Sequence, residues 1–379
     1  MKKSTRGDVA PFIVMDVMEA ARLEEAKGRD IIHMEVGQPG SGAPKKAIEA
    51  LRAAMETGPL GYTVALGLPA LRARIARLYH QWYGLKIAPE RVVVTAGSSA
   101  GFLLAFISLF EQGDRVAIGD PGYPSYRNIL KSLSLEPVRI ETTLQSRYQP
   151  VPDDIAEVDG LLVASPANPT GTMLGKPELC ALIERCADTG TAFISDEIYH
   201  GVGPGKPVSA LEISDEVYII NSFSKYFSMT GWRVGWMVVP ESHVRRIERL
   251  SQNLFICASH ASQVAALAAM DCQGELQGHA QTYAKNREVL INGLPKAGFG
   301  RFAPPDGAFY IYADVSELTN DSRILAAEIL RDAGVAVTPG LDFDPERGHK
   351  TLRFSYAGAT ADMVEGVARL QRWFERRKA

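Results

Sequence analysis

Residues 222 to 235 read SFSKYFSMTGWRVG, with Lys225 set among small hydroxyl residues and Arg233 eight positions later. A lysine amine in such a place can lend its charge to an anion, or it can attack a carbonyl and form a covalent bond. The planar fork of an arginine matches phosphate oxygens, although an arginine can equally make a surface pair with a carboxylate. Upstream, GSSAG at 97–101 contains Ser98 and Ser99 and leads into an apolar helical run. Free N–H groups at a helix N-terminus favour an anion, and the same residues would also make an ordinary turn and cap. Asp196 ends an apolar run in SDEIY. A carboxylate buried there requires a partner, whether a ligand, a cap or a structural arginine. Asn168 in SPANPTG, Tyr199 in SDEIY and Tyr123 in DPGYPSY lie in similar places. Taken singly they read as an Asn-Pro turn, a core tyrosine and a turn aromatic.

The elements that must position these residues follow from the apolar pattern. Short β-rich runs recur between about 85 and 240: VVVTAG (92–97), RVAIGD (115–120), GLLVASP (160–166), TAFISDEIY (191–199), VYIINSFSK (217–225) and RVGWMVVP (233–240). Several are separated by segments with helical character, such as SAGFLLAFISLFEQG and KPELCALIERCADTG. Near-continuous apolar strands alternating with helices predict an α/β fold whose mainly parallel sheet is covered on both faces. Only YFSMTGW separates Lys225 from Arg233. A parallel crossover needs a dozen or more residues, so the strand opening at Arg233 is expected to run antiparallel, giving a mixed sheet. Ligands of open α/β sheets bind beyond the carboxyl ends of the strands, which is where the polar residues fall. An anion cradle, a stacking aromatic, a buried carboxylate, a phenol with an amide and a central lysine together suit pyridoxal 5′-phosphate. That cofactor has a phosphate, a flat ring, a ring nitrogen, a phenolate oxygen and an aldehyde.

With 379 residues, 46 % hydrophobic and 22 % charged, the chain is long enough for about two domains. Its 41 basic and 44 acidic residues leave a net charge of -3, with no electrostatic footprint for nucleic acid or a membrane surface. Four cysteines without a C-x-x-C pair form no disulfide framework or metal knuckle. The longest apolar run, FLLAFISLF, is far short of a membrane span. A cytoplasmic location is expected. The sequence divides into an N-terminal arm at 1–44, a large domain at 45–274 and a smaller C-terminal α/β domain at 275–379. The arm is expected to pack with the small domain.

In order along the chain stand VGQP, GYTVALGLPALR, TAGSSAG, DPGYPSY, SPANPTG, SDEIY, SFSKYFSMTGWRVGW, GAFY and LRFSYA. With these pieces the chain resembles the fold-type I pyridoxal-phosphate enzymes of the class I/II aminotransferase family, which are aspartate aminotransferase-like. The resemblance implies a large domain with a seven-stranded, mainly parallel mixed sheet and a smaller α/β domain. It further implies that Lys225 forms a Schiff base with the cofactor and later shuttles the substrate proton. Asp196 would pair with the ring nitrogen, Tyr199 and Asn168 would bond the phenolate oxygen, and Tyr123 would stack on the ring. Ser98, Ser99, Ser222 and Arg233 would hold the phosphate. Tyr62 would reach a phosphate in the neighbouring subunit of a homodimer. Arg353 would clamp the substrate carboxylate with help from Gly37 and Asn168. No metal is implied.

The reaction expected is a ping-pong transfer of an amino group from an L-amino acid to a 2-oxo acid. A C–S β-lyase or other lyase on the same scaffold is the alternative. A ligand-sensing regulator would need an appended DNA-binding domain, for which residues 1–30 are too short. No motif marks a second cation for a dicarboxylic substrate; Arg6, Lys45 and Arg147 qualify by residue type alone. Phe12 and Tyr123 could instead line a pocket for an apolar side chain.

Overall fold

The computed structural model describes residues 1–155 and 157–378. A seven-stranded sheet runs in the order Val92–Thr95, Gly235–Val238, Tyr218–Ser222, Ala192–Asp196, Gly160–Ala164, Arg115–Asp120, Glu136–Glu141. Gly235–Val238 is antiparallel to both neighbours and the remaining pairs are parallel. The mixed sheet expected from the short Lys225–Arg233 connection is therefore present.

Side chains of a strand alternate between faces, and here both faces are apolar. Val92, Val94, Leu161, Val163, Ile219 and Trp236 point to one core; Val93, Leu162, Ile194, Ile220 and Met237 point to the other. The first core is covered by the helices Pro69–Tyr83 and Lys176–Thr189. The second is covered by Ser98–Leu109, the helix that contains most of FLLAFISLF. That helix is apolar all round because it is packed against the sheet and its neighbours. No helix among the described residues is long and apolar enough to cross a membrane.

The structure corrects the sequence reading in three places. Glu136–Glu141, the seventh strand, is missing from the apolar runs picked out in the sequence. It lies at the sheet edge, paired only with Arg115–Asp120, so most of its residues stay partly exposed and carry no continuous apolar signal. The strand before the lysine ends at Ser222, which leaves Lys225 in the turn. The return strand starts at Gly235, two residues after Arg233. Arg233 itself takes the left-handed conformation, φ 50, at the end of the short turn Thr230–Trp232.

A second sheet orders Thr338–Pro339, Thr351–Ser355, Tyr310–Asp314 and Arg301–Phe302, all antiparallel. Its core takes in Leu370 and Trp373 of the helix Thr360–Lys378, together with Ile32 and Met34 of the N-terminal segment. Ile32–His33 pairs in parallel with Val335–Ala336, and Met34 O accepts from Ser355 N at 2.7 Å. The N-terminal segment is thus stitched to the smaller α/β layer.

Candidate active site

The parallel strands all point their carboxyl ends at one edge of the sheet, and a cavity of about 360 Å³ opens there. Its floor is built from the segments that follow five of the strands. Lys225 lies in one of these segments, and its Nζ donates to Gly37 O at 2.6 Å. Burial, then Arg353 and Arg233, bring the amine down to about 8. Burial is the largest cause because the charged form loses its hydration.

Asp196 ends its strand almost fully buried. Its carboxylate accepts from Tyr126 OH and from Ile198 N at 3.1 Å. Burial pushes the carboxyl up to about 6, and the two hydrogen bonds oppose that rise. No arginine pairs with it among the described residues, so the structural ion-pair reading of Asp196 falls away.

Ser98 and Ser99 open the helix Ser98–Leu109, whose first N–H groups have no intrahelical partners. Gly97 precedes them at φ 78, a conformation glycine adopts at little cost. A Cβ at Gly97 would run into the Arg233 guanidinium. Serine amides and the arginine fork therefore share one small concavity at the cavity floor. Ser224 lines this cavity, whereas Ser222 stands behind it and donates from Oγ to Ser224 Oγ at 2.8 Å.

Arg353 comes from the smaller sheet, where it sits opposite Tyr312 and Thr338. It is buried, with Nη1 donating to Asn168 Oδ1 at 2.9 Å and Nη2 to Glu35 O. Its Nε is buried without a partner among the described residues, a costly state that a ligand oxygen would relieve. The rings of Tyr310 and Phe343 lie 4.5 and 4.6 Å from its guanidinium carbon. Tyr199 OH pairs with Tyr310 OH at 2.7 Å, and a Cβ on Gly37 would collide with that same Tyr310 hydroxyl.

Lys225, Ser98, Ser99, Tyr123, Asn168, Asp196, Tyr199, Arg233, Gly37 and Arg353 thus meet at one cavity. Tyr62 does not: its side chain is 82 % exposed and lies outside this pocket. DPGYPSY, GAFY and SFSK contain Tyr126, Tyr310 and Ser224, to which the sequence assigns no role, and Asp342 and Phe343 stand in none of the motifs. Tyr126 sits three residues beyond Tyr123, the cap residue of the helix Pro124–Ser132, and the two rings meet edge-on at 5.3 Å. No comparable sequence signal marks Asp342 or Phe343. Of the three cations considered for a second carboxylate, none lines the cavity. Arg147 is paired with Asp306 at 2.5 Å. Among the described residues the cavity's cations are Lys225, Arg233 and Arg353.

A buried lysine, a buried carboxylate and a buried arginine thus meet at the carboxyl edge of a doubly covered sheet. The comparisons with known proteins specify the class. Residues 29–370 match the model of the family "Aminotransferase class I and II", and the chain belongs to that family. The valine–pyruvate aminotransferase of Mycobacterium tuberculosis is 45 % identical over 377 residues, 97 % of each chain. A crystal structure of an aminotransferase from the same organism superposes with a TM-score of 0.97 at 44 % identity, covering 99 % of this chain and 100 % of that one. The aspartate aminotransferase of Thermus thermophilus with maleate gives a TM-score of 0.91 at 28 % identity, covering 98 % and 99 %. The protein is an aminotransferase.

Proposed function

We propose that this aminotransferase uses pyridoxal 5′-phosphate to transfer the amino group of an L-amino acid with an uncharged, apolar side chain to a 2-oxo acid, in two half-reactions at one site. The observation that carries the reading is the single cavity uniting Lys225, Asp196, the Ser98–Ser99–Arg233 concavity and Arg353. These residues fit the cofactor: the helix start at Ser98 and Ser99 and the Arg233 guanidinium, packed directly over Gly97, offer donors to an anion, and the depressed Lys225 amine is available for an aldehyde. When bound, the cofactor supplies that aldehyde and a ring able to take up the electron pair of a broken bond.

The chain's own residues divide the remaining work. Lys225 Nζ would first act as a nucleophile and then carry a proton from the substrate α-carbon, which requires it to be a free amine near neutral pH. Asp196 would hold the ring nitrogen protonated, with Tyr126 OH and Ile198 N fixing the carboxylate. Tyr199 and Asn168 would bond the ring oxygen, and Tyr123 would cover the ring face. Ser98, Ser99 and Arg233 would take the phosphate. Ser222 is assigned the orientation of the Ser224 hydroxyl, which lines the cavity in its place. Arg353 would grip the substrate carboxylate, its two nitrogens already aligned by Asn168 and Glu35.

Side-chain preference follows from the outer wall. Phe12, Val14, Met15 and Met18 line it and offer no charge for a distal carboxylate. A relative 45 % identical is named for valine and pyruvate, which fits such a wall.

We further propose a cytoplasmic homodimer with Tyr62 completing the partner's site. In support, Tyr62, Val64, Met55 and Ile256 are exposed apolar side chains, and residues 61 and 63 are tied to His260 and Gln263. The four cysteines are free thiols, as a reducing compartment would keep them. Residues 1–44, 45–274 and 275–379 are proposed as arm, large and small units; the helix Gln273–Gly293 begins just before that last joint.

The test is a donor panel on the cofactor-loaded enzyme without any acceptor, followed by cofactor absorbance. Valine and similar donors are expected to change the spectrum, and aspartate is not. An equal response to aspartate would refute the side-chain class. Ammonia and a 2-oxo acid released without an acceptor would make the enzyme a lyase.

A further inference from the structure

The arm helix Ile13–Glu25 begins at Phe12, which has no side-chain oxygen with which to cap it. Its free N–H groups are served from a distant segment of the chain. Asp342 Oδ1 accepts from Ile13 N at 2.9 Å and Oδ2 accepts from Val14 N at 3.4 Å, although Asp342 lies 329 and 328 residues away in sequence. Asp342 is 3 % exposed and well anchored. Its carbonyl accepts from Arg127 Nη2 at 2.9 Å, and the next carbonyl, of Phe343, accepts from Gly122 N at 3.1 Å. Phe343 in turn lies against the Arg353 guanidinium. One short segment thus ties the arm helix, the large sheet and the carboxylate-binding arginine together. Val14, whose amide is capped, and Met15 and Met18 beyond it form the outer cavity wall.

We propose that Asp342 is a positioning residue for donor selection: by capping the arm helix from a distant segment of the chain, it fixes the apolar wall that meets the substrate side chain. Donors that reach the wall depend on the cap, and donors that do not reach it are indifferent to it. The proposal rests on the reading of this wall as the side-chain site.

Three variants separate the cap from its alternatives. Asp342→Ala removes acceptor and charge. Asp342→Asn removes the charge but keeps an acceptor, and Asn caps about as well as Asp. Ile13→Pro removes one capped N–H from the arm side without touching Asp342, at a position where proline is tolerated. Asp16→Asn, an exposed carboxylate on the same helix, serves as the control for charge near the helix start. Amide hydrogen exchange of residues 13–18 is measured on the cofactor-loaded enzyme without substrate, and kcat and KM are measured for valine and for alanine.

In Asp342→Ala the arm amides are expected to exchange about 10-fold faster, with near-normal exchange in Asp342→Asn and Asp16→Asn. The valine KM rises about 10-fold in Asp342→Ala and less in Ile13→Pro, and the alanine KM changes less than about 2-fold. Unchanged exchange in both Asp342→Ala and Ile13→Pro overturns the cap. Equal effects of Asp342→Ala and Asp342→Asn would assign the residue to the charge balance of Arg353 instead. Equal loss for valine and alanine would overturn donor selection. If wild-type enzyme turns over no apolar donor, the substrate class fails while the exchange result still decides the cap.

Discussion

At the scale of single residues, the site works by setting two protonation states against each other. Burial lowers the Lys225 amine to about 8 and raises the Asp196 carboxyl to about 6. At pH 7 a lysine at 8 is a free amine in about one molecule in ten, against roughly one in 3,000 at its ordinary value. Covalent capture of the cofactor by the cofactor-free protein is therefore expected to speed up as pH rises and to level off above about 8. An inflection near 10 would mean that the amine is not desolvated. Arg353→Lys keeps the charge but loses the planar fork that spans Asn168 Oδ1 and Glu35 O. The expected loss in kcat/KM is roughly 10- to 100-fold, carried mainly by KM. Unchanged steady-state kinetics would move the carboxylate clamp elsewhere.

At the scale of elements, the decisive joints are those where a strand hands over to a turn or helix. The helix Ser98–Leu109 must start directly at the sheet edge, and Gly97 permits this with φ 78 and no side chain. Gly97→Ala would strain the backbone and push Arg233 away, so cofactor affinity is expected to fall more than about 10-fold, with a stability loss of about 1 kcal/mol or more. Titration with cofactor and thermal unfolding of the cofactor-free protein read the two effects separately. Normal affinity would show that the concavity does not hold the phosphate. Arg233 pays a comparable conformational cost at φ 50, which places its guanidinium over Gly97.

At the scale of the whole molecule, the site is assembled from both sheets, and the exposed Tyr62 is proposed to complete the site of a second copy. Lys225→Ala subunits lack the amine and Tyr62→Ala subunits lack the donated phenol. In a mixed dimer, one of the two sites would combine a native Lys225 with a native Tyr62. Random mixing of two inactive parents is then expected to restore roughly a quarter of wild-type activity. Activity no higher than the average of the parents would exclude shared sites.

Much of this was legible in the residues. The apolar runs located six of the seven strands, because a sheet covered on both faces needs apolar residues at every position. The edge strand Glu136–Glu141 escaped because half its environment is polar. Lys225, Asp196, Asn168 and Arg233 stood out only together, because singly each has an ordinary structural use whereas polar groups gathered at one edge of a sheet make a site. Tyr126 against Asp196 and Asp342 against the arm helix did not, since 70 and 329 residues separate the partners and no local period relates them. The sequence by itself determined the kind of chemistry and the strands that present it, because residue type and hydrophobic period are local properties. Only the tertiary structure decided which hydroxyl faces the cavity, what lowers the lysine and what walls off the substrate side chain. Those depend on burial and on distances between segments that meet only when the chain is folded.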